Sequence, residues 1–280
     1  MKQGQAVCIG VNNLNPEHYG TNGELGICEK DANDMHELLL ENGFVSIKLT
    51  TKEATRESVK SAILDSAKTL KKGDIMVIYY SGHGGKVPNV RSEYDFEYDN
   101  IDETWCLWDA QLIDDELRNL WASFEEGVRI LLLSDSCHSG SIAKAPISPK
   151  LEEEDKREDE SEFVKRKCIT DKVAEDTFTR NEKFYVDLAN EINALSITKE
   201  PVKATVKQIS GCEDSEYSYT GETNSAFTQA LKFVWDDGYF EGDYRKFYKD
   251  IRENLVNQHP VLLEFGEKNR EFDKEKPFTI

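Results

Sequence analysis

Two short segments gather the residue types that nucleophilic chemistry needs. Tyr79-Tyr80-Ser81-Gly82-His83-Gly84-Gly85 and Leu133-Ser134-Asp135-Ser136-Cys137-His138-Ser139-Gly140 each close an apolar run in small, polar, reactive residues. The glycines beside His83 leave its imidazole reachable and let a ligand approach the backbone closely. A thiol facing an imidazole across one crevice is the generic arrangement for thiol nucleophilic catalysis, the imidazole helping to make the thiolate. Either residue alone carries little, since a single strand-end cysteine is usually an inert thiol and a single histidine usually a polar surface group. Their joint placement after two apolar runs reverses that judgement. His138 is a second candidate base, ranked below His83 because adjacent residues in a turn point apart.

The elements that must hold these residues follow from hydrophobic periodicity. Residues 5–11, 45–49, 75–80, 128–134, 202–210 and 261–265 read as strands, and 75–80 is apolar on both faces. Residues 31–42, 53–70, 114–124, 224–235 and 243–255 read as helices, the second with Val59, Ala62, Ile63, Ala67 and Leu70 at spacings of three and four. Residues 82–110 read as an acidic loop. Strand and helix alternate, which predicts an α/β fold with a mostly parallel central sheet flanked by helices on both faces. Ligands in such sheets bind outside the carboxyl ends of the strands, where both reactive segments fall.

Composition narrows the function. The 280 residues carry a net charge of −19 and a pI near 4.8, which argues against nucleic-acid binding. No apolar run approaches the roughly 18 residues of a membrane span. The first residues, with their short apolar stretch, are not expected to act as a secretory signal. The six cysteines lack any short paired spacing, so reduced thiols in a cytoplasmic protein are expected, with neither a disulfide framework nor a zinc knuckle. No EF-hand loop is present.

The chain resembles caspase-like cysteine peptidases of the metacaspase and bacterial orthocaspase branch. The resemblance rests on 79–84 and 135–140, on Cys28 with Asp31-Ala32, and on Leu49-Thr50 with Ala54-Thr55-Arg56. Asp102-Glu103, Ile113-Asp114-Asp115-Glu116-Leu117 and Ile209-Ser210-Gly211-Cys212 extend it. Cys137 follows His83 by about 50 residues, as in caspases. The resemblance implies a caspase-like fold, with Cys137 as nucleophile and His83 as base. It implies an oxyanion hole from the backbone N–H groups of Gly84 and Cys137. Cys28, Asp31, Ser81 and Asp135 map to the pocket for the residue before the scissile bond. Two carboxylates there suit Arg or Lys, so cleavage after basic residues of a peptide or protein is expected. For Asp31 alone, a helix-start carboxylate is the competing explanation.

No cofactor is expected to be required. A family calcium site maps to Asp102, Asp114, Asp115 and Lys144, and the ammonium of Lys144 opposes a divalent cation. The family resemblance also suggests a monomer. A single caspase-like domain is expected, with a large-subunit-like part (1–145), an acidic, partly flexible insertion (146–200) and a small-subunit-like part (201–280). Residues 146–180 are expected to be exposed, and Lys150, Lys156-Arg157, Lys165-Arg166-Lys167 and Arg180 offer sites of self-cleavage. The alternatives are a catalytically silent scaffold or partner-binding module, and a thiol-dependent peptide ligase.

Overall fold

The computed structural model describes residues 1–88, 101–137, 164–194, 201–213 and 216–280. Its strands are β1 (Gly4–Gly10), β2 (Val45–Thr50), β3 (Ile75–Ser81), β4 (Gly84–Pro88), β5 (Ile101–Cys106), β6 (Gln111–Ile113), β7 (Arg129–Asp135), β8 (Thr205–Ser210) and β9 (Val261–Gly266). Its helices are α1 (Pro16–Tyr19), α2 (Cys28–Glu41), α3 (Arg56–Thr69), α4 (Asp114–Ala122), α5 (Asp171–Arg180), α6 (Glu182–Ala194), α7 (Ala226–Trp235) and α8 (Tyr244–Glu253).

Six strands form one sheet in the order β2-β1-β3-β7-β8-β9. All neighbours are parallel except β9, which runs antiparallel to β8. The central strands send alternate residues to opposite faces. Met76, Ile78, Ile130 and Leu132 meet Val59 and Ile63 of α3 and Leu117 and Trp121 of α4. Val77, Leu131 and Leu133 meet Met35 and Leu39 of α2, Phe227 and Leu231 of α7, and Phe247 of α8. Each such side chain contributes about 1.5–3 kcal/mol through burial, so the two layers hold the ends of β3 and β7 rigidly. The α/β fold with helices on both faces is the architecture expected.

Local chemistry sets the helix starts. Thr55 caps α3 by accepting from the Ser58 N–H, and Arg56 then grips Glu116 of α4 through two 2.7 Å hydrogen bonds. That paired contact ties α3 to α4.

Two stretches depart from expectation. Residues 82–110 are not merely a loop, because β4, β5 and β6 form a small antiparallel sheet. Its glycines and the polar run Asp102-Glu103-Thr104 hide the strand period. Residues 164–180 are not an exposed excursion either. They thread past the ends of β3 and β7 and continue into α5, which buries Ala174 and Thr177. The acidic run 151–162, and with it Lys150, Lys156 and Arg157, lies outside the described residues. Among the described residues, no helix is long and apolar enough to cross a membrane.

Candidate active site

Parallel register between β3 and β7 sets Ser81 opposite Asp135. Two residues beyond each stand His83 and Cys137, so the sheet brings the two reactive segments to one edge. The backbone of His83 is tied down locally. Its carbonyl accepts from the Tyr80 hydroxyl at 2.7 Å and from the Cys106 N–H at 3.0 Å, while the Tyr80 ring stacks on Trp105. Nε2 of His83 lies 2.8 Å from the Gly23 carbonyl. A carbonyl only accepts, so Nε2 carries the proton and Nδ1 is the basic nitrogen. Nδ1 has no hydrogen-bond partner among the described residues. Burial lowers the His83 pKa to about 4, with the Gly23 carbonyl pulling upward and the Lys167 ammonium pushing further down. The ring is therefore neutral at neutral pH.

Cys137 is buried, and its sulfur accepts from the Ser218 N–H at 3.2 Å. Burial pushes its thiol well above the ordinary range, so the sulfur holds its proton in this arrangement.

Asp31, Ser81 and Asp135 converge below the pair, and Cys28 opens α2 beside them. Asp31 is not simply a helix-start carboxylate. It accepts from the Ser81 hydroxyl at 2.8 Å, the Ser225 N–H at 2.9 Å and the Asn224 amide at 3.0 Å. Asp135 accepts from the hydroxyls of Ser218 at 2.6 Å and Thr228 at 2.7 Å. Burial lifts its carboxyl above the usual range against the pull of Lys167. Burial likewise pushes the Cys28 thiol to about 12.

A lysine of the same chain fills this pocket. The Lys167 Nζ is fully buried, 3.0 Å from Asp135 Oδ2 and 3.5 Å from Asp31 Oδ2. It also donates to Ser81 Oγ at 2.8 Å and to the Asp135 carbonyl at 3.1 Å. Burial alone would lower its pKa, but Asp135 and Asp31 raise it above the ordinary lysine value, so the ammonium stays charged.

The main chain of Lys167 is gripped as firmly as its side chain. Its carbonyl accepts from the N–H groups of Gly84 at 2.9 Å and Cys137 at 3.1 Å. Its own N–H donates to the Ser218 carbonyl at 2.8 Å. Arg166 bridges Tyr219 in antiparallel fashion, Lys165 and Thr220 bond reciprocally, and the Ile169 N–H reaches the Gly84 carbonyl at 3.1 Å. Residues 165–169 thus lie as an extended peptide added to 218–220, a mode in which backbone bonds hold and a side-chain pocket selects. Only glycine fits at 84, since a Cβ there would stand 1.9 Å from the Cys137 carbonyl oxygen. Chemically, two main-chain donors aimed at one carbonyl can stabilise a developing oxyanion.

A family model for the caspase domain matches residues 3–272. The chain belongs to the caspase-domain family. Metacaspase-4 of Arabidopsis thaliana is 34% identical over 187 residues, covering 60% of this chain and 43% of the relative. Metacaspase-1 of Candida albicans is 33% identical over 159 residues, covering 51% of this chain and 34% of the relative. The caspase-domain chain therefore spans less than half the length of these curated relatives. A crystal structure of a protein from Geobacter sulfurreducens matches over 99% of this chain and 98% of that one, at 39% identity and TM-score 0.83. Caspase-1 of Spodoptera frugiperda shares the fold at 10% identity and TM-score 0.53, over 95% of this chain and 86% of that one.

The three calcium candidates of this caspase domain lie on other elements than the pocket residues. Asp102 lies on β5, while Asp114 and Asp115 open α4, where the Asp115 N–H bonds the Asp114 carboxylate at 2.8 Å. Among the described residues, no group of three or more His, Cys, Asp or Glu is arranged to hold a metal ion. Asp114 and Asp115 also sit where helix-start electrostatics favours carboxylates. Lys144 and His138 lie outside the described residues. Periodicity gave no sign of Gly23, Ser218, Asn224, Ser225 or Thr228, which are polar loop and helix-start residues recruited only by tertiary contact.

Proposed function

We propose that this caspase domain is a cysteine endopeptidase that cleaves after Lys or Arg, and that its first substrate is its own Lys167–Cys168 bond. The observation that carries the reading is the double capture of Lys167. Its ammonium lies between two carboxylates, and its carbonyl accepts from two main-chain donors beside Cys137.

In the proposed reaction, His83 Nδ1 takes the Cys137 proton as the sulfur attacks the Lys167 carbonyl carbon. Negative charge on the carbonyl oxygen is met by the Gly84 and Cys137 N–H groups. The tetrahedral intermediate collapses with loss of the Cys168 amine, which receives the proton from His83. Water then hydrolyses the thioester, with His83 as base again. Once residues 164–167 leave the cleft, the same pocket takes basic residues of other peptides. No step calls for a metal.

The test is purification of the wild-type chain beside Cys137→Ala, with mass spectrometry of both and fluorogenic peptides ending in Arg, Lys or Asp, with and without chelator. The expected result is a new N-terminus at Cys168 and turnover of Arg and Lys peptides in the wild type alone. A chain intact in both forms and inert to every peptide would favour the silent scaffold, and cleavage after Asp would overturn the pocket assignment.

A further inference from the structure

The residue after Lys167 is itself a thiol, and nothing in simple hydrolysis calls for one there. The inference drawn from it rests on the self-cleavage reading above. Cys168 is half-buried, its thiol donates to the Ile169 carbonyl at 3.1 Å, and it lies close enough to Cys137 to lower that thiol's pKa. Its backbone is held independently of the bond that would be cut. Cys168 bridges Gly84, the Ile169 N–H bonds the Gly84 carbonyl at 3.1 Å, Ile169 is buried, and α5 is anchored directly behind. Lys167, on the other side, is anchored by its side chain and by Ser218. Breaking the peptide bond therefore leaves both new ends where they were.

We infer that Cys168 makes the cut reversible, so that this caspase domain joins a Lys–Cys bond as well as breaking one. After cleavage, Cys137 carries Lys167 as a thioester, and Cys168 bears a free α-amine and a free thiol. The Cys168 sulfur attacks the thioester carbonyl. Its bond to Lys167 forms as the Cys137 S–C bond breaks, and its proton passes through His83 to the Cys137 sulfur. The Cys168 amine then attacks the same carbonyl through a five-membered ring. The N–C bond forms, the Cys168 S–C bond breaks, and an amine proton returns to the Cys168 sulfur. The original amide is restored without water, oxidant or reductant. A 1,2-aminothiol is the one N-terminal group that can take this route, because other residues offer only the weaker amine nucleophile. Holding both ends in place gives the route the high effective concentration of an intramolecular reaction. Hydrolysis prevails only after one end leaves the cleft, so the exit of residues 164–167 or of 168–170 commits the enzyme to the cut state.

The experiment uses the wild-type chain in a phosphine reductant, since added thiols would intercept the thioester. A labelled peptide Cys-Ile-Thr-Asp, matching residues 168–171, is supplied in excess beside its Ser-Ile-Thr-Asp counterpart. The expected product is the 1–167 fragment joined to the Cys peptide by a hydroxylamine-resistant amide, exceeding the Ser product by about ten-fold or more given the effective-molarity advantage. In parallel, Cys168→Ser is expected to accumulate the cut chain faster than wild type. A cut chain that captures neither peptide, or both equally, overturns the joining activity and leaves the peptidase reading standing. A Cys168→Ser chain that is cut at the wild-type rate also overturns it. Absence of any cut at Lys167, even with the Cys peptide present as a trap, overturns both.

Discussion

The Nζ of Lys167 lies 3.0 Å from Oδ2 of Asp135, and neither side chain is exposed to solvent. With Asp31 beside them, one cation balances two carboxylates in the interior. Removing one member of a buried pair leaves uncompensated charge, which costs about 3–5 kcal/mol. In a Cys137→Ala background, which keeps the chain intact, Lys167→Met is expected to lower the unfolding free energy by about that amount. Lys167→Arg is expected to lose less, because it keeps the charge. Urea unfolding of the three proteins reads the difference directly, and a Lys167→Met chain as stable as its parent would mean that the carboxylates are neutral or hydrated.

The same pair predicts specificity. If a substrate ammonium takes the place of Lys167, Asp135→Asn removes a buried charge partner, a change worth about 2–5 kcal/mol. For Arg and Lys peptides, kcat/KM is expected to fall about 100-fold, corresponding to about 3 kcal/mol of transition-state stabilisation. Alkylation of Cys137 by a small iodoacetamide reports whether the nucleophile stays usable. Loss of peptide turnover with retained alkylation assigns the defect to the pocket.

How much of this was legible in the chain depends on which physical signal each residue leaves. β3 and β7 announce themselves by unbroken apolar runs, and their small polar endings mark His83 and Cys137, so the pair was visible without coordinates. Asp31, Ser81 and Asp135 were reachable only through family resemblance, because a carboxylate at a helix start has an ordinary local explanation. The occupant of their pocket stood in the sequence only as one of several basic residues in an acidic stretch. Nothing local separates Lys167 from Lys165 or Arg166. Alternation along the extended strand turns Arg166 the other way, and the pairing with 218–220 sets the position that puts Lys167 at the carboxylates while Lys165 reaches the Glu24 carbonyl. β4 to β6 escaped notice for a related reason, since a small sheet interrupted by Gly84-Gly85 and Asp102-Glu103-Thr104 has no clean period of two.

Gly84 supports a prediction about the main-chain donors. A Cβ at this position meets the Cys137 carbonyl at 1.9 Å, a contact no side-chain rotation relieves. Gly84→Ala must displace one of the two N–H groups that converge on the Lys167 carbonyl. Loss of one oxyanion donor typically lowers kcat by about 10²–10³. The expected variant is folded by circular dichroism, keeps Cys137 open to alkylation after Lys167 is released, and turns over Lys peptides slower by about that factor. Wild-type turnover by Gly84→Ala would remove these donors from the mechanism.

His83 gives a pH prediction whose sign follows from its burial. The folded chain holds its pKa near 4, below the ordinary 6.5, because the buried ring resists protonation. The unfolded chain therefore binds more protons than the folded one between these values, and stability falls as pH drops through that window. The loss from this ring is about 3 kcal/mol by pH 4, and above pH 6.5 its contribution is fully present. In the Cys137→Ala background, His83→Asn is expected to flatten the acid limb of the stability curve by that amount, measured by urea unfolding between pH 4 and 7. Carbon-13 NMR of the His83 ring supplies the second reading, a neutral Nε2–H tautomer at pH 7 that gains its proton only near pH 4. A ring that titrates near 6.5 with Lys167 seated would mean that water reaches the site and that the thiol and imidazole are already exposed before the chain is cut.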